Sequence, residues 1–197
     1  MTDSAEFEEI NEAKASMDHI YNQSDPRSYF NELKKIDYSI PDAAKPIFRK
    51  LIDHMQDIDK ETIQILDLGC SYGVNAALLK HDLTMSDLYD HWDAKQLAGA
   101  RPNEVIERDQ RYFSELDEQE NIELIGIDQT KNAINFAEDV GLIDSGFAIN
   151  LENDPLPELA DEILAPVDLI MSTGCIGYVT EKTFDRLLPV VTRDGHP

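Results

Sequence analysis

After residue 60 the chain alternates short apolar runs with segments of helical period, and that alternation limits the folds open to it. The runs are TIQILDL (62–68), ELIGID (123–128), GFAINL (146–151) and VDLIMS (167–172). A helix from about Val74 to Lys80 follows the first run. The second leads into KNAINFAEDV, with Thr130 placed to cap it and Gly141 to end it. DPLPELADEILA reads as a loop and a short helix, and Thr180 stands before a last helix through Phe184, Leu187 and Leu188. Strands that alternate with helices need crossover connections, so an α/β fold with a mostly parallel sheet and helices on both faces is expected.

One interval departs from this rhythm. Residues 81–121 are too long for an ordinary loop. Within them Val105, Ile106, Asp109, Tyr112, Phe113 and Leu116 predict a helix with a mostly apolar face. Such an insertion is either a structural cover for the sheet or part of a substrate lid. Upstream, Ile47, Phe48, Leu51, Ile52 and Met55 recur at three- and four-residue steps and predict an amphipathic helix. SDPRSYFNELKKIDYSIP carries turn signals at both ends with a short helix between them. Residues 1 to about 16 read as a solvated tail or a frayed helix. The expected organisation is a helical segment or lid over 1–60 and an α/β domain over 61–197, with a helical insertion near 81–121.

The first apolar run ends in ILDLGCSYGVNAALL (65–79). Asp67 closes the strand, Gly69, Cys70, Ser71 and Gly73 form the turn, and a helix begins at once. Small residues let a backbone approach a ligand, and a helix start offers free N–H groups. The G-x-G-x-x-G dinucleotide pattern fails here, because Ser71 and Val74 occupy its second and third glycine positions. No Gly-Lys-Ser/Thr follows. Asp67 would repel a pyrophosphate, and it suits a ligand that carries an ammonium.

In DLGCSYG (67–73) the chain resembles the Rossmann-like S-adenosylmethionine (SAM) dependent methyltransferases, with Ser71 where glycine is more usual. The resemblance spans about residues 60–190 and makes SAM the expected cofactor. It implies that Gly69 and Gly73, with Cys70 and Ser71 between them, shape the turn around the methionyl part and the ribose. Asp67 would act near the ammonium. Asp128, the acid ending the second run, would grip the ribose hydroxyls, with Gln129 beside it. It stands 61 residues beyond Asp67, against about 20 in a minimal unit, and the insertion accounts for the gap. After the third run Asn150, Glu152, Asn153 and the Leu151 backbone are alternatives for the adenine amine. Thr173, Gly174 and Cys175 would line the edge facing methyl group and substrate, with Tyr178 just beyond. The resemblance also implies a strand order of third, second, first, fourth. Family sheets usually have seven strands, and four are legible before VVTRDGHP, so the fold is expected to be truncated there. The outer edge of the fourth strand would then be covered by a missing C-terminal segment or by a second copy in a homodimer.

Composition narrows the partners. Lys and Arg number 17 against 40 Asp and Glu, a net charge of −23, which opposes nucleic acid as substrate. No apolar run approaches a membrane span, so no membrane partner is expected. The N-terminus lacks the basic and apolar regions of a signal peptide. With two distant cysteines, Cys70 and Cys175, this suits a reduced, cytoplasmic setting. Neither the cysteines nor the five histidines show metal-ligand spacing. The function that emerges is methyl transfer from SAM to a small molecule. The alternatives are SAM chemistry without methyl transfer (cyclisation or elimination) and a non-catalytic SAM-binding protein. Methyl transfer needs alignment more than a base, so catalytic candidates stay open among Tyr178, His81, Tyr21 and Tyr29. Tyr21, Tyr29 and Trp92 read equally as packing residues.

Overall fold

The computed structural model describes residues 18–57, 61–93 and 95–193. The proposed tail over residues 1 to about 16 lies outside them. Four strands, β1 (Ile63–Leu68), β2 (Ile122–Asp128), β3 (Ser145–Ala148) and β4 (Leu169–Met171), form one all-parallel sheet in the order β3-β2-β1-β4. In register, Ile65 lies between Leu124 and Leu169, and Asp67 between Gly126 and Met171. Among the described residues β4 pairs with β1 alone. The helices are α1 (Asp18–Tyr21), α2 (Arg27–Lys34), α3 (Ile40–Asp57), α4 (Val74–Lys80), α5 (Met85–His91), α6 (Pro102–Ser114), α7 (Lys131–Asp139), α8 (Glu158–Leu164) and α9 (Glu181–Val191). A 3₁₀ turn spans Ile176–Tyr178.

Alternation along the strands divides the core into two layers. Ile63 and Ile65 of β1 and Ile122 and Leu124 of β2 face α4 and α7. Leu66, Leu68, Ile125 and Ile127 face α8 and α9 on the other side. Full burial of such a side chain contributes about 1.5–3 kcal/mol, so the two-sided pattern fixes the register of the central strands. This is a Rossmann-like α/β sheet, flanked by helices on both faces.

Both outer strands are shorter than the apolar runs that announce them. At β3, the Asn150 side chain accepts the N–H of Glu152 (3.0 Å), and its carbonyl accepts that of Asp154 (2.8 Å). That side-chain-supported turn ends the strand. At β4, the Val167 N–H is taken by the Leu164 carbonyl of α8 (3.2 Å). The Asp168 carboxylate takes the Gln64 N–H (2.9 Å).

The insertion is a cover. Leu88, Trp92, Val105 and Phe113 are buried. Buried Asp109 takes the Trp92 indole N–H (2.8 Å) and meets His91 Nε2 (2.7 Å), which ties α5 to α6. No described residue of 81–121 reaches the central cavity. The N-terminal helices share this core: Tyr29, Phe30, Leu33 and Ile52 pack in the same cluster as Ile63 and Ile65. On α3 the buried side runs through Phe48, Ile52 and Met55, while Ile47 and Leu51 face outward. The apolar stripe of that sequence is therefore wider than the face it buries. Among the described residues no helix is long and apolar enough to cross a membrane.

Candidate functional site

A cavity of about 840 Å³ opens outside the carboxyl ends of the strands. In this sheet that is the switch point, where connections from β1 and β4 pass to opposite layers. Each strand contributes its last residue or the turn after it.

The turn after β1 is built by close approach. Gly69 has φ +77°, and a Cβ there would collide with Cys175, whose Sγ would lie 2.7 Å away. Ser71 also stands in the left-handed region, at φ +50°. Its N–H donates to Asp128 Oδ2 (3.0 Å), while Asp128 Oδ1 accepts the Thr130 N–H (2.8 Å). Burial pushes the Asp128 carboxyl up, and the two main-chain donors pull it back. Thr130 does not cap α7 with its side chain as expected; its N–H binds Asp128 instead.

Asp67 is fully buried. Its Oδ1 accepts Asn75 Nδ2 (3.0 Å), which also lies 3.0 Å from Thr173 Oγ1 at the cavity wall. Its Oδ2 has no partner among the described residues. Burial raises this carboxyl to about 7, against the pull of Asn75. Asp67 therefore stands behind the wall and reaches the cavity through Asn75 and Thr173.

Along the β2 and β3 ends the lining is Asp128, Gln129, Thr130, Lys131 and then Asn150, Leu151, Glu152 and Asp154. Asn150 Nδ2 donates to Gln129 Oε1 (3.0 Å). Glu152 accepts the Thr180 N–H (2.8 Å) and the hydroxyls of Thr180 (2.7 Å) and Thr183 (2.6 Å), which hold its carboxyl down to about 2. Thr173, Gly174, Cys175 and Tyr178 line the β4 side.

The N-terminal segment closes the cavity. Tyr72, buried in the β1 turn, accepts the Gln23 N–H (3.0 Å) and donates to the Gln23 carbonyl (2.9 Å). Asn132 Nδ2 reaches Asn22 Oδ1 (3.0 Å). These bonds set Tyr21 and Asn22 on the cavity wall, with Tyr29 and Tyr38 beside them. Burial raises the Tyr21 phenol to about 12, reinforced by Tyr178, Tyr38 and Asp128.

Of the expected site residues, Gly69, Ser71, Asp128, Gln129, Asn150, Leu151, Thr173 and Gly174 line one cavity, with Tyr21, Tyr29 and Tyr178. Four expected residues lie off it: Asp67, behind Asn75 and Thr173, and three more. Gly73 does not face a ligand, because a Cβ there would meet Leu142 Cβ (3.0 Å) and Ala137 Cβ (3.3 Å) of the packed α7 region. Cys70 is buried against Gly126 and leaves the wall to its neighbours. His81 sits past the far end of α4, its Nδ1 against the Asp117 carbonyl (3.2 Å) and its ring against Phe113, away from the cavity. Tyr38 and Asn75 were not anticipated. The one local signal for Asn75 is a polar side chain inside the apolar run VNAALL.

The described lining carries the acids Asp128, Glu152 and Asp154 and a single cation, Lys131. No protein-family model matches the chain, and no curated protein or solved structure matches it either. Fold and cavity together define a Rossmann-like α/β protein with an acid-rich cavity at its switch point.

Proposed function

We propose that the chain binds SAM and directs its methyl group to a small-molecule acceptor. The observation that carries this reading is the Ser71–Asp128 bond, which joins the glycine turn of β1 to the acid of β2 at the mouth of one cavity. The residues present fit the cofactor in three respects. Asp128 accepts the main-chain N–H groups of Ser71 and Thr130 and the Thr130 hydroxyl, which leaves one of its four lone pairs for a ribose hydroxyl. Asp67 puts a carboxyl just behind the Thr173 wall, through Asn75, and an ammonium bound at that wall would help to hold it ionised. The acidic lining favours a ligand of net positive charge over one with a pyrophosphate.

In this reading Gly69, Ser71, Thr173 and Gly174 receive the methionyl end. Asp128 holds the ribose, and Gln129, Asn150, Leu151 and Glu152 border the adenine. When bound, SAM supplies a methyl group already activated on a sulfonium. The protein then has to align the acceptor and exclude water. Tyr21 and Tyr29 exclude water at the cavity wall, and burial keeps their phenols protonated at neutral pH, so they act as donors rather than bases. Calorimetry with SAM, S-adenosylhomocysteine and NAD tests the reading. Binding of the first two is expected, and binding of NAD alone overturns it. Mass spectrometry of products then separates methyl transfer from cyclisation or elimination.

A further inference from the structure

Three phenols border the cavity. Tyr21 and Tyr38 come from the N-terminal segment, and Tyr178 comes from the turn after β4. Tyr21 is braced edge-to-face on Tyr29 at 5.3 Å. The Tyr38 hydroxyl lies so close over Gly174 that a Cβ there would collide with it. Tyr178 is 48% exposed and lines the same cavity. The acids of the lining, and Asp67 behind Thr173, set a negative field around these rings. Lys131, the one cation in the described lining, follows β2.

This combination selects by charge. Aromatic faces and phenol oxygens attract a cation, most strongly where water is excluded. Against three acids the described lining holds one cation, Lys131, so a carboxylate or phosphate would meet a net negative wall. A neutral molecule would gain contact but no field.

We propose that Tyr21, Tyr38 and Tyr178 form a subsite for an ammonium group, and that the acceptor molecule carries one. That this ligand is the acceptor rests on the methyl-transfer reading; that the subsite binds ammonium does not.

The test titrates the full chain, saturated with S-adenosylhomocysteine, with choline. The comparison ligands are its neutral isostere 3,3-dimethylbutan-1-ol and the anion 3,3-dimethylbutanoate. Choline is expected to bind at least about tenfold more tightly than the alcohol, with the anion weaker still. Tyr178→Leu is expected to weaken choline about tenfold, and Tyr178→Phe, which keeps the ring, to retain most of the affinity. Because Tyr178 is half exposed, its variants test the subsite even if Tyr38→Leu fails to fold. Equal binding of the alcohol overturns the proposal, as does an unchanged affinity in Tyr178→Leu. Choline that binds only without S-adenosylhomocysteine would assign the rings to the cofactor and also overturn it. If S-adenosylhomocysteine does not bind but choline does, the methyl-transfer reading fails and the ammonium subsite stands.

Discussion

Asp128 Oδ2 accepts the main-chain N–H of Ser71 at 3.0 Å, so the acid ending β2 holds the turn that leaves β1. Asp128→Ala is expected to lose both functions. Charge-assisted bonds to a ribose are each worth about 1.5–3 kcal/mol, roughly a ten- to hundredfold weaker Kd for SAM. The Ser71 N–H also loses its acceptor, which lowers the melting temperature. Calorimetry and thermal melting read the two effects separately, and an unchanged Kd rejects the ribose role.

Asp67 makes stability depend on pH. Its carboxyl titrates near 7 in the folded chain, well above the ordinary aspartate value of about 3.9 in the unfolded one. As pH rises through that window the unfolded chain sheds the proton first. The contribution of Asp67 to stability is therefore largest below pH 4, falls between about 4 and 7, and is level above. That displacement corresponds to roughly 4 kcal/mol. Asp67→Asn is expected to match the parent at pH 4 and to melt higher at pH 8. SAM affinity of the parent should rise from pH 6 to 8, and that of Asp67→Asn should stay flat. Parallel melting curves for the two proteins would remove Asp67 as the titrating group.

Gly69 and Cys175 occupy space that only one of them can fill. Gly69→Ala adds a methyl against Cys175 at φ +77° and is expected to cost about 2–5 kcal/mol from clash and left-handed strain together. Cys175→Gly in the same chain should relieve the clash and leave the strain. Urea denaturation of both single variants and the double variant should therefore show strong non-additivity. Additive losses would mean that the two turns are independent.

Gly73→Val is expected to act on folding rather than on the ligand. Its new side chain would press on Leu142 and Ala137, so the melting temperature should drop while the folded fraction keeps its SAM affinity. A stable variant with weakened binding would restore Gly73 to the ligand wall.

The four strands were legible as apolar runs, most clearly where both faces are covered, as Ile65 and Leu66 are in β1, while their order came only with the resemblance. Strand ends were less so. Val167 continues the apolar run of β4, but its N–H belongs to the turn that closes α8. Gly69, Ser71 and Asp128 were readable because a strand end and its turn are local in sequence. Tyr38 was not, since it meets Gly174 only once both faces of the fold are assembled. His81 misled for a simpler reason. It follows a helix that starts at the site and runs away from it for seven residues, about 10 Å at 1.5 Å per residue.

The bonds that fix the N-terminal segment also set an order of assembly. Gln23 reaches Tyr72, the Arg27 guanidinium takes the carbonyls of Leu97 and Ala100, and Asn132 takes Asn22. A ribosome releases Tyr21, Tyr29 and Tyr38 long before any of these partners exists. Helices α1 and α2 are short, and helices of that length are marginal in water on their own. They must wait until β2 and α7 have emerged, so loop closure over long stretches of chain precedes their docking. The tyrosine side of the cavity is thus made well before the partners that dock it.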